Sequence, residues 1–361
     1  MKGMKLALRT DASLQIGTGH VMRCLTLADA LTAKGAQCEF ICREHPGHLM
    51  EYIRGKGYAV HSLPTGSDVD ADLTHSPWLG ATQAQDAQDC ALILDTLRPD
   101  WLVVDHYALD ARWESAMASH CGQVMVIDDL ADRAHACRVL LDQTFGREAT
   151  NYVHLVPANC RVHCGSQYAL LRPEFAALRS YSLQRRTKPV LPELLVTMGG
   201  VDKDNASGRV LQALRNCSLH ADCRITVVMG ATAPWVDEVR TMAHDMPWPT
   251  RVLVGVNNMA QLIADSDLAI GAAGATSWER CCLGLPTVML VLAENQLKVA
   301  QGLQEAGAAA LVSSESSTEY QLKALVNTLA SSPERLRAMS RSAAGIVDGM
   351  GTRLVTTLLE S

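Results

Sequence analysis

Arg9-Thr-Asp-Ala-Ser-Leu-Gln-Ile-Gly-Thr-Gly-His-Val-Met-Arg-Cys-Leu-Thr-Leu-Ala28 is the stretch on which the fold class turns. The apolar run from Met4 to Leu8 ahead of it predicts a strand, and Gly17 and Gly19 predict a loop that turns tightly and can approach a ligand. A helix is expected to begin at His20, because Val21, Leu25, Ala28 and Leu31 recur at helical spacing. His20 then lies in the first helical turn, where unpaired N–H groups and the positive end of the helix dipole gather. Such a place disfavours imidazolium and keeps the neutral ring that a general base requires. A capping or buried structural histidine fits the same position.

Outward from this stretch the chain alternates. Gln37 to Cys42 reads as a strand, 47–56 as a helix and 58–62 as a strand. Residues 64–90 are polar and predict a surface loop and a helix, with Asp68, Asp70, Asp72, Asp86 and Asp89 solvated. Leu102 to Tyr107 is a buried parallel strand with a polar end. It sets Asp105, His106 and Tyr107 at a carboxyl edge of the sheet, where ligands collect and where His20 is also expected. Tyr107 could orient a hydroxyl or a water, and Asp105 could equally cap the next helix. Runs 124–129 and 140–143 add strands, the first ending in Asp128 and Asp129 with the same two readings as Asp105, and the proline-bearing stretch 150–190 reads as the passage to a second domain. Within it Arg172 either reaches a phosphate or packs in the linker.

The second half restarts the same grammar. Strand 194–198 leads into the Gly199-Gly200 turn and a helix from Asn205 to Leu214, and strands come at 225–229, 251–254 and 268–270. Gly271-Ala-Ala-Gly-Ala-Thr-Ser-Trp-Glu-Arg280 is a Gly loop opening onto a helix, a place suited to a pyrophosphate, with Gly274 and Thr276 at its mouth. Trp278 and Leu285 mark the buried face. Glu279 falls off that face, free for a ribose diol or simply solvated. Asn295 and Gln296 end the next strand region, pointing to the same crevice or forming a turn and helix cap. The expected division is 1–160, a linker at 161–190, and 191–361.

Composition narrows the function classes. With 48% hydrophobic and 19% charged residues the chain is globular, and its net charge of −6 argues against nucleic acid or an anionic membrane as partner. No apolar run reaches the about 18 residues of a membrane span, and a cytoplasmic protein is expected. The twelve cysteines are scattered without a Cys-x-x-Cys, so they read as small buried thiols, with neither a metal nor a cofactor expected. Gly17-Thr-Gly19 lacks a third glycine at dinucleotide spacing, and neither a Walker loop nor a Gly-x-Ser-x-Gly elbow occurs.

Arg9-x-Asp11-Ala-Ser…Ile16-Gly-x-Gly-His20-Val-Met-Arg23-Cys-Leu resembles the N-terminal signature of the UDP-2,4-diacetamido-2,4,6-trideoxy-β-L-altropyranose hydrolases of pseudaminic acid synthesis. The 271–286 loop with Ala293-Glu-Asn-Gln296 resembles their C-terminal half, which is similar to the donor domain of the lipid II-forming N-acetylglucosaminyltransferases. The resemblance implies an α/β, GT-B-like fold of two Rossmann-like domains facing each other across a cleft. It also implies a metal-independent, inverting hydrolysis of a UDP-sugar. His20 would be the base for water, Tyr107 would lie near the sugar, and Glu279 would hold the uridine ribose. Gly17, Gly19, Arg172, Gly199, Gly200, Gly274, Thr276, Asn295 and Gln296 complete the expected substrate-binding set. A UDP-sugar glycosyltransferase and a non-catalytic nucleotide-sugar binder are the alternatives, and the oligomeric state stays open, a monomer included.

Overall fold

The structure, a computed structural model, describes residues 1–188, 191–312 and 318–360. The chain divides into two compact units, Met1–Leu170 together with the chain from Met350 onward, and Leu171–Gly349. The first runs β1 (Lys5–Thr10), α1 (Gly19–Thr32), β2 (Gln37–Arg43), α2 (Met50–Gly55), β3 (Ala59–Leu63), α3 (Gln83–Leu97), β4 (Trp101–Asp105), α4 (Ala111–Met117), β5 (Gln123–Ile127), β6 (Val139–Asp142) and β7 (Arg161–Cys164). The second begins with α5 (Pro173–Arg185), β8 (Glu193–Thr197), α6 (Ala206–Arg215), β9 (Arg224–Met229), α7 (Val236–His244), β10 (Thr250–Val254) and α8 (Met259–Asp265). It continues with β11 (Leu268–Ala272), α9 (Thr276–Cys282), β12 (Thr287–Leu290), α10 (Leu297–Glu305), β13 (Ala309–Leu311), α11 (Thr318–Ala330) and α12 (Pro333–Ala344). The last helix, α13 (Gly351–Leu358), returns to the first unit.

Each unit holds one parallel sheet, in the orders β3-β2-β1-β4-β5-β6-β7 and β10-β9-β8-β11-β12-β13. Parallel strands covered on both faces need near-continuous apolar runs, and Leu102-Val-Val104 and Leu194-Leu-Val196 are such runs, fully buried. The pleat sorts them: Leu6 and Leu8 join Phe40, Val103 and Met125 on one face, while Ala7 joins Ile41, Leu102 and Val104 on the other.

The 161–190 linker does not survive. Its first residues form the half-buried edge strand β7, paired with β6, and its next ones form α5, which opens the second unit. Residues 189–190 lie outside the described residues. Nor does the second unit run to the C-terminus. Val355 of α13 and Leu359 just past it enter the core beside α1, because that apolar face finds its cover there.

Asp86 also departs from expectation. It is fully buried, not solvated, and its carboxylate takes Arg9 Nη2 at 2.7 Å, Arg43 Nη2 at 2.7 Å and Trp113 Nε1 at 2.9 Å. Burial would raise its pKa, yet Arg9 and Arg43 outweigh that and hold it below the usual carboxylate range. Removing this shared anion leaves two buried guanidinium groups short of a partner, so Asp86→Ala is expected to cost about 3–5 kcal/mol of stability in urea unfolding. A loss under about 1 kcal/mol would contradict this.

Candidate active site

Strand order locates the first site. β1 lies between β2 and β4, and the chain winds away from it in opposite directions, so a crevice opens at the carboxyl ends of β1 and β4. Thr10 and Asp105 are register partners there. Beyond β1, Ser13 Oγ accepts from the amides of Gln15 (3.1 Å) and Ile16 (2.9 Å). Gly17, at φ +81, donates its own amide to the Ser13 carbonyl at 2.9 Å. That amide serves the loop and is not open to a ligand. Gly19 begins α1, one residue earlier than expected, and His20 stands in its first turn.

His20 is 8% exposed and its Nδ1 lies 2.6 Å from Asp105 Oδ1. Asp105 caps no helix; Asp110 caps α4 instead. Arg23, one turn along α1 from His20, grips both Asp105 oxygens, Nε to Oδ2 and Nη2 to Oδ1, each at 2.7 Å. Burial pulls the Asp105 pKa up, but Arg23 and His20 overcome it and hold the carboxyl well below its usual range. An ionised carboxylate only accepts, so the Nδ1 position carries the proton and the Nε2 lone pair is left for other work. Arg23 Nη1 also reaches Asp129 Oδ2 at 2.5 Å, and Asp129 Oδ2 accepts from the Tyr107 hydroxyl at 2.9 Å. The Tyr107 ring stands edge-on to the His20 ring, centroids 4.5 Å apart. Sequence reasoning gave Arg23 no role in the candidate site, and left Asp129 with the same two readings as Asp105. The signal for Arg23 was its i, i+3 spacing from His20 on one helix face.

The second unit has its own crevice, between β8 and β11, where Gly271 pairs with Thr197. Gly199, at φ +92, turns the chain after β8, and the Gly200 carbonyl packs so close to Gly230 that a Cβ there would fall 1.8 Å from it. The start of α6 is not open to an anion, because Asp202 accepts from the amides of Ala206 (2.7 Å) and Ser207 (2.9 Å) and Asn205 from that of Gly208 (3.0 Å). The 271–274 loop differs, since no side chain caps the start of α9. Arg280 braces it from beneath, donating to the Ala272 carbonyl at 2.7 Å and to Thr276 Oγ1 at 3.2 Å. A Cβ on Gly271 would sit 2.4 Å from Arg280 Nη1, so glycine is needed to admit the guanidinium. Gln296 lies beside Gly274 and commits its Oε1 to the Leu292 amide at 3.0 Å, while Asn295 is exposed. Arg172 pairs with Glu174 at 3.2 Å and lies within electrostatic reach of Glu279.

Among the cysteines, Cys160 faces Cys137 at 3.6 Å, and Cys121, Cys160, Cys164 and Cys217 are only partly buried. Among the described residues no helix is long and apolar enough to cross a membrane.

Residues 194–351 match the glycosyltransferase family 28 C-terminal domain. An uncharacterized protein of Methanocaldococcus jannaschii is 24% identical over 299 residues, 82% of this chain and 57% of its own length. The UDP-2,4-diacetamido-2,4,6-trideoxy-β-L-altropyranose hydrolase of Campylobacter jejuni is 24% identical over 304 residues, 84% of this chain and 97% of its own. The chain therefore spans a little over half of the first relative and nearly all of the second. Among solved structures, MurG of Acinetobacter baumannii aligns with a TM-score of 0.70 at 18% identity over 99% of both chains. The resemblance to the hydrolase family and, in the C-terminal half, to family 28 glycosyltransferases stands, and the fold is GT-B-like, with two Rossmann-like domains.

Glu279 carries a measurable signature. Burial pushes its carboxyl up to about 7 against the opposing pull of Arg172 and Arg280. A carboxyl raised on folding favours the folded state while protonated, and that advantage is lost as pH climbs from the unfolded value through about 7. Glu279→Gln is therefore expected to gain stability over the parent at about pH 8 relative to their difference at about pH 5, read by denaturant midpoints at both pH values. The same difference at both would remove the shift.

Proposed function

We propose that this chain hydrolyses a UDP-linked 2,4-diacetamido-2,4,6-trideoxy sugar, releasing UDP and the free sugar. The observation that carries the reading is the His20–Asp105–Arg23 arrangement, a histidine whose tautomer is fixed by a buried, charge-balanced carboxylate. His20 Nε2 takes a proton from water as the water oxygen bonds to the anomeric carbon. The bond from that carbon to the UDP oxygen breaks on the opposite face, its electron pair leaves with UDP, and the anomeric centre inverts. UDP is a good leaving group, so placing water and stabilising the departing charge are the main tasks.

In the second unit, Gly274 and Thr276 at the uncapped start of α9 receive the phosphates, and Glu279 accepts from the ribose diol. Gln296, Arg172 and the Gly199-Gly200 turn border the same nucleotide. Gly17 and Gly19 shape the loop that presents His20. No step in this scheme draws on a metal ion.

A glycosyltransferase with the same donor site is the second reading, favoured by the family 28 match. The small exposure of His20 supports the smaller nucleophile, water. Incubation with a panel of UDP-sugars, with and without alcohol acceptors, followed by NMR for free UDP and free sugar, tests the two; sugar appearing only on an acceptor would replace the hydrolase with a transferase. His20→Ala is expected to lower turnover by about 10²-fold or more while UDP affinity stays within a few-fold, measured by steady-state kinetics and calorimetry. Undiminished turnover would take His20 out of the mechanism. The rate is expected to be unchanged in EDTA; collapse reversed by a divalent ion would refute the metal-free scheme.

A further inference from the structure

The segment between β3 and α3 does more than bridge them. It folds a short helical turn, Ser76–Trp78, that brings two rings to the His20 site. The Trp78 indole lies offset over Tyr107, centroids 5.8 Å apart and planes 26° apart, and His75 meets Tyr107 edge-on at 5.3 Å and Trp78 at 4.5 Å. Tyr107 itself is 7% exposed, with His20 at its edge and the Arg133 guanidinium 6.0 Å from its ring centre. Its hydroxyl is committed to Asp129. The rings of this cluster that stay partly open to solvent belong to His75 and Trp78.

We propose that His75 and Trp78 form an aromatic platform that seats the apolar C–H face of the pyranose acted on at His20. This rests on the hydrolase reading and moves the sugar contact from Tyr107 to the two rings in front of it. Aromatic faces are electron-rich and favour C–H-bearing surfaces. Burial, helped by Arg133 and His20, outweighs the pull of Asp132 and Asp128 and lowers the His75 pKa, which disfavours a charged platform. An anionic phosphate gains nothing from such faces. A deoxy sugar, whose methyl enlarges the apolar face, suits them.

The rings are not what pins the segment. Gly66 donates to the Gly80 carbonyl at 2.7 Å, the Gln83 amide to Asp70 at 2.7 Å, and Arg112 pairs with Asp72 at 2.6 Å. Trimming Trp78 should therefore leave the fold in place.

The test is steady-state kinetics of the parent, Trp78→Ala, Trp78→Phe and His75→Ala on UDP-2,4-diacetamido-2,4,6-trideoxy-β-L-altropyranose, with UDP binding measured by calorimetry. Trp78→Ala is expected to raise KM about tenfold with kcat within about threefold, and to leave UDP affinity unchanged. Trp78→Phe should recover most of the loss, and His75→Ala should shift KM in the same direction. A parent KM in Trp78→Ala, in a parent chain that turns over, overturns the platform alone. A parallel loss of UDP affinity and melting temperature also overturns it, since that is the mark of a packing role. A parent chain that hydrolyses no UDP-sugar overturns the hydrolase reading, and the platform with it.

Discussion

The two-pronged grip of Arg23 on Asp105 is the interaction on which the first unit's site depends. It joins α1 to the end of β4 in a place where burying an isolated carboxylate would be strongly unfavourable. The guanidinium lets Asp105 stay ionised, and an ionised Asp105 fixes which His20 nitrogen carries the proton. Arg23 then turns its remaining amino group to Asp129, which holds the Tyr107 hydroxyl. One cation thus sets the His20 tautomer and anchors its neighbouring ring. The same device recurs beside it, where Asp86 joins Arg9 on β1 to Arg43 on β2. Polar strand ends in this sheet are tied by charge where their apolar middles are tied by packing.

The two units repeat one topology and use it differently. Both place a Gly turn after the first strand of the sheet and both open a crevice at the switch in strand order. In the first, the turn's Gly17 amide is consumed internally and the helix start presents a side chain, His20. In the second, the helix after the Gly turn is closed by Asp202 and Asn205, while the start of a later helix, the one braced by Arg280, has no side-chain cap. A glycine-containing turn before a helix therefore does not by itself tell an anion site from a structural one. What separates them is whether a nearby side chain has already taken the amides.

The same distinction governs what could be read from the sequence. Buried parallel strands are legible because their apolar runs are local, and His20 is legible because helix start, glycine loop and spacing lie within a short stretch of chain. Asp86 is not, because its partners Arg9 and Arg43 are 77 and 43 residues away, and no local pattern marks a carboxylate destined for burial. β7 escapes because a half-buried edge strand lacks the apolar run of a central one. The homing of α13 to the first unit escapes because an amphipathic helix announces that it needs a core, not which one. Asp105 reads as a strand-end residue with two roles open, and the capping of α4 by Asp110 removes one of them while its approach to His20 keeps the other.

The charge inventory around His20 also bears on stereochemistry. A retaining glycosyl transfer needs a carboxylate free to attack the anomeric carbon, with a second group about 5 Å away to trade protons. The carboxylates near His20 are already bound to arginines: Asp11 to Arg9, Asp105 and Asp129 to Arg23, Asp128 to Arg133. Freeing Asp11, Asp105 or Asp128, each fully buried, as a nucleophile would strand a buried guanidinium, at a cost of several kcal/mol. An imidazole nitrogen carries no such penalty when it acts as a base, and a base that activates water supports single displacement. Within the proposed hydrolysis, the arginines that stabilise the fold at these strand ends favour the inverting course over a retaining one.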